Sequence, residues 1–430
     1  MTAEDKGIVA RAAAVDLVMG VTAEGVQISD LLARPGFLAL APENRARAQR
    51  LALSTLRHLA PAGTVLKPLL RKDPPPVVRT ALLVATAEML ADGAAAHGVV
   101  SATVSGLRAR GRAAEGYAGL ANAVLRRVAA TDPAAWARLP PQELPSWLRG
   151  RLMSAWGKAA VQAIERAHAA GAPLDLTPRD GDPEKLAAST GGEALATGSV
   201  RIGGSPQVSA LPGYAEGAFW VQDAAAALAA RMLAPRPGER VLDLCAAPGG
   251  KTLQLAAAGA QVTALDVSEP RLARLRENLA RCRLQAAIVA ADALEWQPEA
   301  PFDAILLDAP CSATGTIRRH PDLPFLRSRD DLRPLVELQS RLIDRAAAML
   351  KPGGRLVFST CSLLPEEGER QVSAALGRLP DLRPDPQPRA LPGVEPGWFS
   401  GDCGLRTRPD FWPERGGLDG FFLAALRIGG

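Results

Sequence analysis

The chain has few aromatic residues: Phe, Trp and Tyr make up 4% of its 430 positions. Stacking of bases on an aromatic sheet face is therefore not an obvious binding mode. Paired, metal-type cysteines are also missing. The five cysteines, Cys245, Cys282, Cys311, Cys361 and Cys403, are odd in number and far apart, with no C-x-x-C pair and only four histidines to complete a site. That argues against a disulfide framework and against zinc, so no metal is expected. No apolar run is long enough to span a bilayer. The segment Met1-Thr2-Ala3-Glu4-Asp5-Lys6 is charged and lacks the apolar core of a signal peptide. These absences predict a soluble cytoplasmic protein with free thiols, held where thiolate chemistry can persist.

What is present is ordinary in bulk and uneven in detail. Hydrophobic residues are 47% and charged residues 22%, and the length allows two or three domains with cores of their own. The net charge of +5 is unevenly placed. Residues 1–140 hold 17 Lys and Arg against 11 Asp and Glu, a net of +6, and the rest of the chain is close to neutral. Such an excess suits a grip on a phosphate backbone through counterion release; it also suits a helical domain with solvated arginines, and charge alone leaves the two even.

Residues 1–135 read as all helix, with apolar residues at helical spacing in Ile8–Val18, Arg45–Leu59, Pro76–Leu90 and Gly119–Val128. Arg34-Pro35-Gly36, Pro61-Ala62-Gly63 and Asp73-Pro74-Pro75-Pro76 read as breakers between them. Residues 136–215 read as a connector: helices near Ser146–Trp156 and Ala159–Ala169, then a small α/β subdomain with turns at Gly181-Asp182-Pro183 and Gly203-Gly204-Ser205-Pro206. From 216 to 430 strands and helices alternate. Strands are expected at Arg240–Cys245, Val262–Val267, Ala287–Ala291, Ala304–Leu307, Arg355–Ser359 and Phe421–Leu426, with helices at Pro270–Cys282 and Leu332–Leu350, the latter stopped by Lys351-Pro352-Gly353-Gly354. Near-continuous apolar strands between helices predict a mostly parallel sheet covered on both faces. The fold class is therefore α/β, an all-helical N-terminal domain followed by a Rossmann-like domain.

In such sheets a ligand lies beyond the carboxyl ends of the strands, near the switch point. The first strand runs into Cys245-Ala246-Ala247-Pro248-Gly249-Gly250-Lys251-Thr252, where glycines permit close backbone approach and the next helix offers unpaired N–H groups. The Gly-Lys-Thr ending invites a P-loop reading, but G-x-x-x-x-G-K-T needs glycine at 245. Strand-end acids support another cofactor. Asp266 is placed to bind both hydroxyls of a ribose, and Asp292 to meet the edge of an adenine. Ribose and adenine without a phosphate grip point to S-adenosylmethionine.

Two cysteine runs carry the chemistry. Asp308-Ala309-Pro310-Cys311-Ser312 follows the fourth strand and Ser359-Thr360-Cys361-Ser362 ends the fifth, 50 residues on. Carbon 5 of a pyrimidine is a poor nucleophile. A thiolate adding at carbon 6 makes carbon 5 an enamine that can take a methyl group, and a second cysteine can help to expel the first. Asp308 is placed to hydrogen-bond ring nitrogen 3 as charge builds, and Lys251 to lower a thiol pKa, to contact the substrate or simply to cap the loop. For Cys282 and Cys403 the reading is a small buried hydrophobe. A cytosine in folded RNA would have to leave its stack to reach such a cleft.

With those residues in place, the chain resembles the RsmB/Sun-type 16S ribosomal RNA cytosine-5 methyltransferases over nearly its whole length. The resemblance rests on Gly217-Ala218-Phe219-Trp220-Val221-Gln222-Asp223, Asp243–Thr252, Asp308–Gly315, Ser359–Glu367 and Asp419-Gly420-Phe421-Phe422. It implies that Cys361 is the nucleophile and Cys311 its helper, an order that spacing alone does not give, and that Cys245–Lys251, Asp266, Asp292 and Asp308 hold the cofactor. It also implies that the N-terminal helices, with Asn122-Ala123-Val124-Leu125-Arg126-Arg127, are a NusB-like RNA-binding domain. Candidate RNA contacts there are Arg45, Arg47, Arg50, Arg126 and Arg127. Small-subunit ribosomal RNA is the implied partner of a monomer, with neither DNA nor membrane. The family's connector Arg-x-Asn motif has no match: Leu176-Thr177-Pro178-Arg179-Asp180 puts Asp180 there.

Three competitors differ in class. A DNA cytosine-5 methyltransferase would use the Pro-Cys thiol as nucleophile and need a Glu-Asn-Val run, which is absent. A transfer RNA methyltransferase shares the motifs but often lacks a NusB-like domain. A non-catalytic assembly factor would have no use for two cleft thiols.

Overall fold

The computed structural model describes residues 3–204, 206–385 and 391–429, so Ser205 of the expected turn lies outside the described residues. Two compact units make up the chain. The first comprises residues 3–150, Val161–Gly171 and Ile317–Arg327. Its helices include Ala3–Thr22, Pro42–Arg57, Pro76–Leu90, Ala96–Ala109 and Ala118–Val128. They close over a core containing Leu17, Val18, Leu51, Leu82, Val99 and Leu125, each aliphatic side chain contributing roughly 1.5–3 kcal/mol by leaving water. Inside this apolar core Glu88 is buried, and it is tied to Arg11 by paired bonds of 2.6 and 2.7 Å. The expected break at Pro61-Ala62-Gly63 is not there. The interruption falls at His58, and a helix Leu59–Leu66 contains Pro61 in its first turn, where a missing N–H removes no intrahelical bond.

The second unit, which comprises Arg151–Ala160, Ala172–Thr316 and the described residues from Ser328 onward, contains a small sheet of β1 (Leu174–Pro178), β2 (Glu193–Ala194), β3 (Val200–Ile202) and β4 (Phe219–Val221). Its order is β2-β3-β1-β4, and every pair is antiparallel. Buried Asp175 on β1 anchors it, gripped by Arg201 at 2.7 and 2.8 Å and accepting the Ala224 N–H. β4 comes from beyond residue 215 and runs into Asp223, which caps helix Ala224–Leu233.

The large sheet of the same unit holds β5 (Arg240–Leu244), β6 (Gln261–Asp266), β7 (Ala287–Ala290), β8 (Phe302–Asp308) and β9 (Leu350–Thr360). These five lie in the order β7-β6-β5-β8-β9 with parallel neighbours. β10 (Leu382–Pro384), β11 (Phe399–Ser400), β12 (Gly404–Arg406) and β13 (Phe422–Ile428) extend it antiparallel, with β13 against β9. The strands bury apolar side chains on both faces, as covered parallel strands do. The chain winds from β5 outward to β7 and returns to β8 on β5's other side. The switch point therefore falls between β5 and β8, which is where such sheets hold ligands. One expected boundary moves. Helix Leu332–Ala348 stops before Leu350, and the supposed stop Lys351–Gly354 lies inside β9. Pairing decides this: Phe302 N donates to Met349 O, Leu350 sits opposite Phe302, and a bulge between Phe302 and Ala304 absorbs the irregular stretch. Among the described residues no helix is long and apolar enough to cross a membrane.

Candidate active site

At the carboxyl end of β5 the chain makes a tight passage. Cys245 adopts φ 64° and Gly249 φ 108°, both in the left-handed region. Glycine is required at 249, where a Cβ would also strike the Leu275 side chain. Helix Gly250–Ala257 starts immediately, with its free N–H groups at the rim. Asp266, at the end of β6, is buried and holds the loop: its oxygens accept the Ala247 N–H at 3.0 Å and the Ser268 N–H at 2.9 Å. Arg271 donates to the Ala247 carbonyl and lies 3.8 Å from Asp266. Beneath the loop, Asp243 accepts a 2.5 Å bond from Thr252 through one oxygen, while its other buried oxygen has no partner among the described residues. Burial, outweighing that bond and the nearby Lys251 charge, pushes the Asp243 carboxyl up to about 7. Burial and the surrounding carboxylates, Asp266 first, push the Cys245 thiol up, so it stays protonated. Asp292 lies just past β7; it is exposed and accepts the Leu294 N–H at 2.9 Å as a turn cap.

The cysteine loops leave the neighbouring strands β8 and β9. Asp308 pairs in register with Ser359, and Ala309 N donates to Ser359 O. Register and loop geometry bring Cys311 Sγ to 3.4 Å from Cys361 Sγ. Asp308 accepts 2.6 Å from Lys251 Nζ and 3.0 Å from Ser359 Oγ, which ties the cofactor loop to the cysteine strands across the switch point. Lys251 Nζ also lies 5.3 Å from the centre of the Phe421 ring. The Cys311 thiol is raised well above its ordinary range, first by its contact with Cys361, then by burial and by the Glu367 carboxylate. Gly315 is fixed by close approach: its N–H donates to Cys361 O, its carbonyl accepts from Gly420, and a Cβ would collide with the Gly420 backbone.

The predicted catalytic residues and the cofactor loop thus meet at one rim of the second unit. Cys282 is buried against the Phe219 carbonyl, and burial raises its thiol. Asp180 is taken up locally, accepting 2.8 Å from Lys185, which holds its carboxyl below the usual range. Arg179 reaches the carbonyls of Glu216 and Cys282. The candidate RNA contacts lie in the helical unit. Arg45, Arg47 and Arg50 are on helix Pro42–Arg57, and Arg126 and Arg127 end helix Ala118–Val128. Arg50, Arg126 and Arg127 are exposed; Arg47 is half-buried and bonded to Glu88 at 3.2 Å. Arg126 lines a cleft of about 450 Å³ with His97, Arg108 and Asn122. Sequence reasoning missed Arg271, Thr252 and Glu367. The first two had a signal in their spacing from Asp266 and Asp243; Glu367 had none beyond lying in the second cysteine motif.

Comparison with known proteins follows the same division. Residues 230–427 match the family model described as 16S rRNA methyltransferase RsmB/F, and residues 9–130 match the NusB family. A ribosomal RNA small subunit methyltransferase B from Xanthomonas campestris pv. campestris is 36% identical over 98% of this chain and 97% of its own. The crystal structure of PH0851 shares the fold with a TM-score of 0.73 at 24% identity, over 99% of each chain. A methyltransferase homolog protein from Pyrococcus horikoshii superimposes with a TM-score of 0.53 at 29% identity, covering 65% of this chain and 93% of its own. With identity sustained over nearly all of both chains, the protein belongs to the RsmB/F family of 16S ribosomal RNA methyltransferases.

Proposed function

We propose that the protein methylates carbon 5 of a cytosine in small-subunit (16S) ribosomal RNA, in the cytoplasm, through a covalent cysteine–base intermediate. The observation that carries this reading is the 3.4 Å pair Cys311 Sγ and Cys361 Sγ, at the ends of adjacent strands beside the Asp308–Lys251 ion pair. The rim suits S-adenosylmethionine. Asp266 retains acceptor capacity for ribose hydroxyls, and one buried Asp243 oxygen has no donor among the described residues. Residues Cys245–Lys251, Asp266, Asp292 and Asp308 would hold the cofactor, which supplies the methyl group when bound.

The chain's own residues do the rest. Cys361 adds as thiolate to carbon 6, and the electron pair of the 5,6 double bond moves toward carbon 5. Cys311, kept protonated, is placed to donate its S–H to the Cys361 sulfur and to steady the thiolate before attack. Lys251, held by Asp308 at 2.6 Å, is placed to steady the negative charge that builds on the ring as the thiolate adds. Once carbon 5 carries the methyl group, Cys311, having by then given its own proton to solvent, takes the proton from carbon 5; the 5,6 double bond re-forms, Cys361 leaves as thiolate, and Cys311 ends as the thiol it began as. Nucleoside analysis of small-subunit rRNA tests the reading. Wild type with S-adenosylmethionine should produce 5-methylcytosine, and Cys361→Ala at least about 10⁴-fold less, as expected for loss of a nucleophile. Methyl on another atom, or 5-methylcytosine from Cys361→Ala, would contradict the reading. No transfer by wild type to any RNA would leave an RNA-binding assembly factor.

A further inference from the structure

Both cysteine loops converge on one carboxylate. Glu367 ends the 3₁₀ turn Pro365–Glu367, is fully buried, and has no cation within ion-pair distance among the described residues. Its Oε1 accepts the Ser312 N–H at 2.9 Å and the Gln339 amide at 3.0 Å; its Oε2 accepts the hydroxyls of Ser312 at 2.5 Å and Ser362 at 2.6 Å. Ser312 follows Cys311 and Ser362 follows Cys361, so each cysteine is one residue from a bond to the same group.

The proton order of this network is nearly forced. With both serine hydroxyls donating to the carboxylate, Ser362 Oγ is free to accept the Leu364 N–H at 3.0 Å. Thr314 Oγ1 likewise accepts the Leu363 N–H at 3.0 Å and turns its own proton toward Ser312 or Ser362, at 3.3 and 3.2 Å. Gln339 closes the ring by donating to the Pro310 carbonyl as well, 2.8 Å away. Four donors face a group that only accepts. An amide there would turn N–H groups into donors already present, and a neutral side chain would leave buried donors unpaired, each costing about 1–3 kcal/mol. A buried charge without a counter-ion is itself unfavourable, and packing alone does not call for one here.

We infer that Glu367 is a positioning residue that sets the spacing of Cys311 and Cys361 by holding the two residues that follow them. The inference rests on the reading of these cysteines as the reacting pair. Glu367 also acts by its charge. The titratable groups facing Cys311 are the Cys361 thiol and Glu367, whereas nearby Asp308 is paired with Lys251 and Glu369 with Arg406. A negative group behind the thiol helps to keep its proton on Cys311.

The test uses the full chain and needs no RNA. In a Cys361→Ala background, alkylation of Cys311 by iodoacetamide is followed against pH by peptide mass mapping, with and without Glu367→Gln. The midpoint should fall by about one pH unit when the charge is removed, whereas Ser312→Ala, which keeps the charge and loses one donor, should not lower it. Loosening of the fold alone would move both variants the same way. With Cys361 restored, Glu367→Gln should lower kcat for RNA methylation about 10–100-fold and leave KM for S-adenosylmethionine within about twofold. An unchanged midpoint together with full turnover would overturn the inference. If Glu367→Gln fails to fold, Ser312→Ala and Ser362→Ala carry the test, and full turnover in both would overturn it. Alkylation reports on Glu367 even if wild type forms no 5-methylcytosine, so the two proposals fail separately.

Discussion

The cofactor loop and the two cysteine loops share one sheet edge, yet they are held in opposite ways. The cysteine loops are saturated: hydroxyls, amides and backbone N–H groups from residues 309–315 and 359–364 close on each other and on Glu367. The cofactor loop is held more sparsely, by backbone geometry, Asp266, Arg271 and the Lys251–Asp308 pair, and rests over an Asp243 oxygen with no partner among the described residues. Reacting groups must stand within tenths of an ångström, so their supports are complete without a ligand. A binding loop keeps polar atoms uncommitted for its ligand, and the unpaired atom is felt in the protein itself as a raised carboxyl pKa.

The sharpest way to break this difference is Gly315→Ala. The added methyl meets the Gly420 backbone, with an overpacking cost of about 1–3 kcal/mol or more, and pushes the Pro-Cys loop off Cys361. Methylation should fall by at least about 100-fold while affinity for S-adenosylmethionine stays within about threefold; calorimetry and a methylation assay measure the two. Equal losses of both would mean that the rim is a single unit. The complementary change, Asp266→Asn, should weaken S-adenosylmethionine about 10–100-fold, the scale of hydrogen bonds to a charged group. The Cys311 alkylation midpoint should stay where it is. A midpoint that moves with Asp266 would show the cysteines leaning on the cofactor loop.

The smallest expected effect is one of pH on stability. Folded Asp243 titrates near 7, against about 3.9 in an unfolded chain. Between those values the folded state binds more protons, so the stability this group contributes is complete at the acid end and is lost as pH rises toward 7. Asp243→Asn should therefore flatten the fall in Tm between pH 5 and pH 8 by a few degrees, as thermal melts would record. An unaltered slope would mean that the carboxyl is not strained by burial. His168 in the helical unit has the reverse sign. Burial and the neighbouring Arg318 and Arg57 charges lower it to about 3, so its contribution is present above about pH 6.5 and fades as acid is added.

Much of this division was legible in the chain. Strand periodicity located β5, β6, β8 and β9, because strands buried on both faces show as apolar runs whatever their neighbours are. The strand-end rule then put Cys311, Cys361 and Asp308 at one edge. What the sequence hid depended on partners distant along the chain. Lys351–Gly354 reads as a helix stop and becomes strand only because β8 pairs with it. Pro61 reads as a breaker until its place in a first turn is known. Arg47 reads as a candidate RNA contact on a helix surface, and its bond to buried Glu88, 41 residues away, shows in no local pattern. Glu367 stands in the sequence only as the end of the second cysteine run; its burial against Ser312, 55 residues earlier, is announced by no local pattern.

The central claim, that Cys361 attacks the base and Cys311 helps to release it, is tested most directly by trapping the intermediate. Wild type, Cys311→Ala and Cys361→Ala are incubated with small-subunit rRNA and labelled S-adenosylmethionine, resolved on denaturing gels, and the RNA-bearing peptide is mapped by mass spectrometry. The account predicts a labelled adduct that accumulates in Cys311→Ala, is carried by the peptide containing Cys361, and is absent from Cys361→Ala. An adduct mapped to Cys311, or methylated RNA from Cys361→Ala, would contradict it.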